Sequence, residues 1–290
     1  MIKINRNQNI KIKILRLFLL FAVILTECDR IYYPPYSGDE KWSFVVFGDT
    51  RFGYDIFGKL SRNIGQLELA PRAAFCCGDI VDISTSEACW LRFADSARPI
   101  NQRMPIFYVR GNHDGNDTVS ERFFRELTGL RSDSFYYTHT EEETLFIVLD
   151  EWDKGQERAI SGEQMNWLQY QLDSASADTS ILNIFIFMHQ LPYPQGRHYG
   201  ENLRNADDVH QLFRKHDKIR TVYAGHDHMF NKYVKDSIIY ITTGGGGTEL
   251  YPGYGGEYHH FVKVTFYEDT SLINIKTIGT SNEIFDDFDL

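Results

Sequence analysis

The chain has 290 residues, 42% of them hydrophobic and 14% aromatic, with 30 basic and 40 acidic side chains and a net charge of −10. That apolar content is enough to close one sizeable core, which excludes extended disorder and makes a single domain of roughly 250 residues the expectation. The acidic balance repels polyanions and no local basic patch offsets it, so broad nucleic-acid binding is not expected.

Lys3, Arg6, Lys11, Lys13 and Arg16 precede an apolar run from Leu17 to Leu25, the layout of an export signal. The run is about half the ~20 residues a spanning helix needs, which makes an uncleaved anchor the lesser reading. Leu25-Thr26-Glu27-Cys28 looks like the end of a bacterial lipoprotein signal, in which the cysteine is lipidated and becomes the first mature residue. Glu27 departs from the small residue usual before that cysteine, so a plain secretory signal stays open. The expectation is a signal peptide over residues 1–27, export to a bacterial cell envelope, and a membrane anchor through lipid on Cys28. Removing five basic side chains and one acidic one with that signal leaves 25 against 39, a net charge of −14. Pro34, Pro35, Ser37 and Gly38 mark residues 28–40 as a short tether.

The domain is expected over residues 41–280. Trp42 to Phe47 is a near-continuous apolar run ending in Gly48-Asp49. Ala73 to Cys77 repeats the plan before Gly78-Asp79, and Pro105 to Val109 repeats it before Gly111-Asn112-His113-Asp114. Such runs are too short for helices and apolar on both faces, so they predict buried strands covered on two sides. Ile56 to Leu69 and Glu87 to Ala97 have helical spacing, and Ser161-Gly162-Glu163-Gln164 opens a third helix with a capping-box pattern. Further strands are predicted at Leu145 to Leu149, Ile181 to Met188, Thr221 to Ala224, Ile238 to Thr243, Phe261 to Tyr267 and Leu272 to Thr277. Residues 281–290 read as an acidic, solvated tail. Cys76 and Cys77 are adjacent on a strand and point to opposite faces, so both read as small buried residues, not as a disulfide.

Several of the strands end in a glycine, an acid, an asparagine or a histidine. In open α/β sheets ligands bind beyond the carboxyl ends of strands, so Asp49, Asp79, Asn112, His189, His226 and His228 are expected to meet in one cluster. Oxygen and imidazole donors without a thiolate suit divalent Mn, Fe or Zn. Two such ions ~3.5–4 Å apart need a carboxylate between them and clamp both the attacking and leaving oxygens of a phosphoryl displacement; Asp79 is the natural bridge.

Gly48-Asp49-Thr50-Arg51, Gly78-Asp79-Ile80-Val81-Asp82, Gly111-Asn112-His113-Asp114, Met188-His189 and Gly225-His226-Asp227-His228 stand in the order of the calcineurin-like metallophosphoesterases, which residues 43 to 230 resemble. The resemblance implies a four-layer α/β sandwich of two mixed β-sheets flanked by helices. It also implies two divalent metal ions: Asp49 and His228 on the first, Asn112, His189 and His226 on the second, and Asp79 on both. His113 would protonate the leaving oxygen, with Asp114 holding its ring, while metal-bound hydroxide attacks a small phosphate mono- or diester. One departure is Arg51, where the family usually has a histidine; a guanidinium has no lone pair for a metal, and its fork suits a substrate phosphate. Purple acid phosphatases also lack that histidine, but they carry a tyrosine where this chain has Asp82, so a purple iron centre is not expected. Two rival readings remain, a nuclease and a surface-anchored, non-catalytic scaffold or binding protein on the same fold.

His226 and His228 at spacing i, i+2 would share one strand face, leaving Asp227 pointing to solvent. Asp82 reads as a loop-capping acid. The loop from Pro192 to Arg204, with Arg197 and His198, is the candidate for contact with substrate. Gly244 to Gly247 predicts close backbone approach beside the site. Tyr251, Tyr254 and Tyr258 read first as ordinary packing.

Overall fold

The computed structural model describes residues 39–160, 162–268 and 271–290. The expected signal peptide, Cys28 and all of the expected tether before residue 39 lie outside the described residues.

The apolar runs become strands because each buries side chains on both faces. β1 (Glu40–Phe47), β2 (Ala73–Cys76) and β3 (Ile106–Tyr108) pair in parallel. The crossovers run through α1 (Tyr54–Gly65) and α2 (Glu87–Asn101). Phe47 lies opposite Cys76 and Cys76 opposite Tyr108, so the three strands end level. Three antiparallel strands complete this sheet: β10 (His260–Tyr267), β11 (Ile273–Gly279) and β12 (Ile284–Asp289), in the order β12-β11-β10-β1-β2-β3.

The second sheet is built from β4 (Tyr137–Glu141), β5 (Thr144–Val148), β6 (Asn183–Phe187), β7 (Ile219–Ala224), β8 (Phe230–Lys235) and β9 (Ile238–Thr243). Its order is β4-β5-β6-β7-β9-β8, with β5, β6, β7 and β9 parallel and an antiparallel strand at each edge. Val148, Phe187 and Tyr223 are level across it.

Strand alternation sorts the core into layers. Phe44, Val46, Phe75, Cys77, Phe146, Phe185, Phe187 and Tyr223 fill the space between the sheets, with Phe75 stacked on Phe187 at 4.0 Å. Val45, Phe47 and Cys76 face α1 and α2, and Ile184, Ile186 and Met188 face α4 (Gly162–Ala177) and α5 (Ala206–Phe213). The result is the helix-sheet-sheet-helix sandwich expected of the sequence. Cys76, Cys77 and Cys89 are free and buried.

Elements the sequence reading lacked are short or polar. The helix α3 (Thr118–Thr128) starts at Asp117, whose Oδ1 accepts from Val119 N and Ser120 N at 2.8 and 3.2 Å, and stops at Gly129, in the left-handed region at φ 68°. The acidic end is not a free tail. It forms β12, where Asn274 Nδ2 donates to Asp287 Oδ1 and Asp289 Oδ1 and Lys276 meets Asp287 at 3.4 Å, so much of the charge along this edge is paired. Ser161 of the expected capping box lies outside the described residues; its partner in that pattern is Gln164, near the start of α4. The Gln164 amide exchanges two hydrogen bonds with the Asp150 backbone, at 2.8 and 2.6 Å, pinning the loop after β5. Among the described residues, no helix is long and apolar enough to cross a membrane.

Candidate metal centre

The level ends of β1, β2, β3, β6 and β7 deliver the polar residues to one place. Asp49 and Asp79 follow β1 and β2 with φ of 60° and 53°, and His226 follows β7 at 66°. Side chains other than glycine rarely adopt this region, at a cost of order 1 kcal/mol or more each, and neighbouring bonds hold them there. Asp49 N donates to Gly78 O (2.9 Å), Thr50 N to Asp79 O (3.0 Å), and His226 N to both Asp49 oxygens (3.0 and 3.1 Å). His113 N donates to Asp79 Oδ1 at 3.0 Å. Gly225 leaves room for this carboxylate, because a Cβ there would lie 2.1 Å from Asp49 Oδ2.

Asp49, Asp79 and His189 are fully or almost fully buried, and one donor atom of each lies within 4.8 Å of the others. His189 Nδ1 donates to Cys77 O at 2.7 Å, which puts the ring's proton on that nitrogen and leaves a lone pair on Nε2. Nε2 then faces Asn112 Oδ1 at 2.9 Å, Asp79 Oδ1 at 3.4 Å and His226 Nδ1 at 3.2 Å. Asn112 Oδ1 is also 3.2 Å from His226 Nδ1. On the other side His228 Nδ1 donates to Glu249 O at 2.8 Å, so its Nε2 lone pair looks toward Asp49 Oδ1 at 3.7 Å. With the His189 proton on Nδ1, its Nε2 and the Asn112 and Asp79 oxygens are acceptors turned toward one another, an arrangement that a cation among them would stabilise. The donor set therefore fits the two divalent metal ions expected from the sequence.

The electrostatics agree. Burial, then the neighbouring Asp79, raises Asp49 well above the ordinary carboxylate range. For Asp79 burial acts upward too, but His189, His113, Arg51 and the His113 N–H outweigh it and bring the group to about 2. Burial lowers His189 and drives His226 well below its usual value, and it takes His228 down to about 4. The imidazoles are thus neutral at pH 7, the form that ligates.

Arg51 does not project freely toward substrate. Its Nε pairs with Asp79 Oδ2 at 3.1 Å. Asp114 does not hold the His113 ring: its Oδ1 accepts from Ile80 N (2.8 Å) and Val81 N (3.3 Å) and its Oδ2 from Gly111 N (2.8 Å). It ties the loops after β2 and β3 together. Among the described residues, no hydrogen bond reaches the His113 ring. Asp227 is buried instead of solvated, because His226 lies past the end of β7 in a turn where strand alternation no longer holds. It accepts from Gly196 N (3.0 Å), His198 N (3.1 Å) and His198 Nδ1 (2.9 Å), anchoring the loop from Pro192 to Arg204. His198 stacks on His226 at 4.1 Å, and the Arg197 guanidinium lies 4.9 Å from the Tyr251 ring centroid. The glycine run approaches the site closely, as expected: a Cβ on Gly244 would meet Asp227 O at 2.1 Å.

Glu151 and Trp152, after β5, were missed. Glu151 Oε1 accepts from His189 N and Gln190 N, its Oε2 is buried without a partner among the described residues, and burial raises the group to about 8. The Trp152 ring lies 6.2 Å from His189 and 6.1 Å from His226. The strand-end rule that found the other residues applies equally to Leu149-Asp150-Glu151.

A family model described as calcineurin-like phosphoesterase matches residues 43–230. Among solved structures, the purple acid phosphatase PPD1 from yellow lupin (Lupinus luteus) seeds is similar with a TM-score of 0.69 at 20% identity, over 88% of this chain and 55% of that one. This chain thus spans about half the length of the lupin protein. A dimetal phosphatase from Danio rerio matches with a TM-score of 0.64 at 16% identity, over 87% of this chain and 99% of that one. GAP50, the anchor in the inner membrane complex of Plasmodium, gives 0.66 at 17% identity, over 87% and 89%. Identities this low show a shared fold, and no curated protein matches the chain by sequence. By its motifs and the family match over most of its length, and with a fold and buried donor set that agree, the chain belongs to the calcineurin-like phosphoesterase family.

Proposed function

We propose that this protein hydrolyses a small phosphate mono- or diester at the Asp49/Asp79/His189 cluster. The observation that carries the reading is the lone pair of His189 Nε2 facing Asn112 Oδ1 at 2.9 Å and Asp79 Oδ1 at 3.4 Å. In this reading Asp49 and His228 hold one ion, Asn112, His189 and His226 the other, and Asp79 both. The bound ions supply Lewis acidity and a nucleophile at neutral pH.

The protein's own groups do the rest. The His113 backbone N–H fixes its position on Asp79, and its exposed side chain is the acid for the leaving oxygen. Burial lowers that imidazole, Asp79 raises it and Arg51 lowers it, leaving it neutral in the free site. A phosphate dianion beside it favours the protonated form, which then donates to the departing oxygen. Arg51, with Nε on Asp79, has its remaining N–H groups for phosphate oxygens. His198 and Arg197, carried on the loop that Asp227 anchors, face the same cluster and meet the ester group.

Chelator-stripped protein given Mn or Zn is assayed on 4-nitrophenyl phosphate and bis(4-nitrophenyl) phosphate. Activity on at least one is expected, with His113→Ala lowering kcat by about 10²- to 10⁴-fold. Metal bound with no turnover on either would favour the scaffold reading, and His113→Ala as active as the parent would remove the acid. From residues 1–28 alone we also infer export and lipid attachment at Cys28, which mass spectrometry of the amino-terminal peptide tests.

A further inference from the structure

One donor is missing from the first-metal side of the site. Arg51 occupies the place of a ligating side chain and pairs with Asp79 at 3.1 Å. The structure brings another oxygen there from a distant part of the chain. Tyr251, in the loop after β9, has its ring 4.1 Å from that of His228 with 23° between the planes, and its hydroxyl 3.4 Å from His228 Nε2. Tyr251 N donates to His228 O at 3.1 Å, so the backbone sets the pair in register. Edge contact from His198 at 5.7 Å and the Arg197 guanidinium leave the ring little freedom.

A hydroxyl 3.4 Å from the nitrogen of a ring on which its own ring is stacked is too long for a good hydrogen bond. The arrangement does suit two donors around one ion. Nitrogen and oxygen ligands at about 2.0–2.2 Å from a common metal lie no more than about 4.4 Å apart. The Tyr251 hydroxyl is 3.4 Å and Asp49 Oδ1 3.7 Å from His228 Nε2, both within that limit.

We propose that Tyr251 is a ligand of the first metal ion, its phenol oxygen supplying the donor that Arg51 does not, with the phenol proton passing to solvent on ligation. The assignment rests on the two-metal reading of the site. It frees Arg51 to remain on Asp79 as a fixed positive charge beside the substrate phosphate. Phenylalanine at position 251 would keep the stack on His228 and lose only the donor.

The test is metal binding to the chelator-stripped full chain, without substrate, using zinc. The parent is expected to take two equivalents, with the ultraviolet difference spectrum of an ionised tyrosine appearing as the weaker site fills. Tyr251→Phe should weaken that site by at least about tenfold, leave the tighter one unchanged and abolish the ultraviolet change. Combining it with Arg51→His should restore the affinity without the ultraviolet change. Binding of one equivalent by the parent, a parent without the ultraviolet signal, or a Tyr251→Phe protein that binds both ions like the parent would each overturn the assignment. A parent that shows the signal and hydrolyses no ester would keep Tyr251 as a ligand and remove only the hydrolase reading.

Discussion

Gly225→Ala tests the site through one atom. The new Cβ would stand 2.1 Å from Asp49 Oδ2 and 2.9 Å from Cys77 O. Ordinary contact needs about 3.4 Å, so the carboxylate or its strand end must move by roughly 1.3 Å. Asp49 cannot swing freely, since both its oxygens accept from His226 N at 3.0 and 3.1 Å; displacing it also drags a proposed ligand of the second ion. Overpacking of this kind costs about 1–3 kcal/mol of stability, a fall in Tm of a few degrees for a domain this size. A 1 Å misplacement of a catalytic group costs about 10²-fold in rate. The control is Gly58→Ala on α1, where the nearest atom is Arg62 Nη1 at 3.6 Å; it should be stabilising by about 0.5–1 kcal/mol with rate unchanged. Thermal unfolding, metal content and steady-state turnover of the three proteins are compared. A Gly225→Ala protein with the parent's metal content and rate would refute the placement of Asp49 against this backbone.

Glu151→Gln should make the chelated protein more stable than the parent at alkaline pH. The folded-state value of about 8 lies above the unfolded value near 4.5, so the parent's contribution is fully present below about 4.5 and lost as pH rises through 8. The variant, with nothing to ionise, should open a gap of a few kcal/mol over that window in denaturant titrations; parallel profiles would contradict the burial of an unpaired Oε2. Asp227→Asn removes the anionic acceptor of three hydrogen bonds to the loop bearing Arg197 and His198, so KM should rise about tenfold with metal content unchanged. Unchanged KM would mean the loop does not meet substrate. Cys76, Cys77 and Cys89 are buried, so a thiol reagent should label none of them until the protein unfolds; rapid labelling in native buffer would contradict the packed layers.

Much of this was legible in the sequence wherever burial on both faces leaves a continuous apolar run. Trp42 to Phe47 and Ile238 to Thr243 read directly as strands for that reason. β4, β8 and β12 lie at sheet edges, where one side pairs with no strand among the described residues and polar residues such as His139, Lys232 and Asp287 replace the signal. The site was readable because strand ends carry it, and the same rule should have added Asp150-Glu151. It failed for Asp227 and Asp114, whose partners include backbone N–H groups of loops far away in sequence. No periodicity encodes those contacts, nor the approach of Tyr251 to His228.

The most direct measurement is anomalous diffraction from crystals grown with Mn or Zn. Two peaks are expected about 3.5–4 Å apart, one against His189 Nε2, His226 Nδ1 and Asn112 Oδ1, the other against His228 Nε2 and Asp49, with Asp79 reaching both. Metal bound only at surface carboxylates, or a saturated crystal with no peak touching Asp79, would contradict the account.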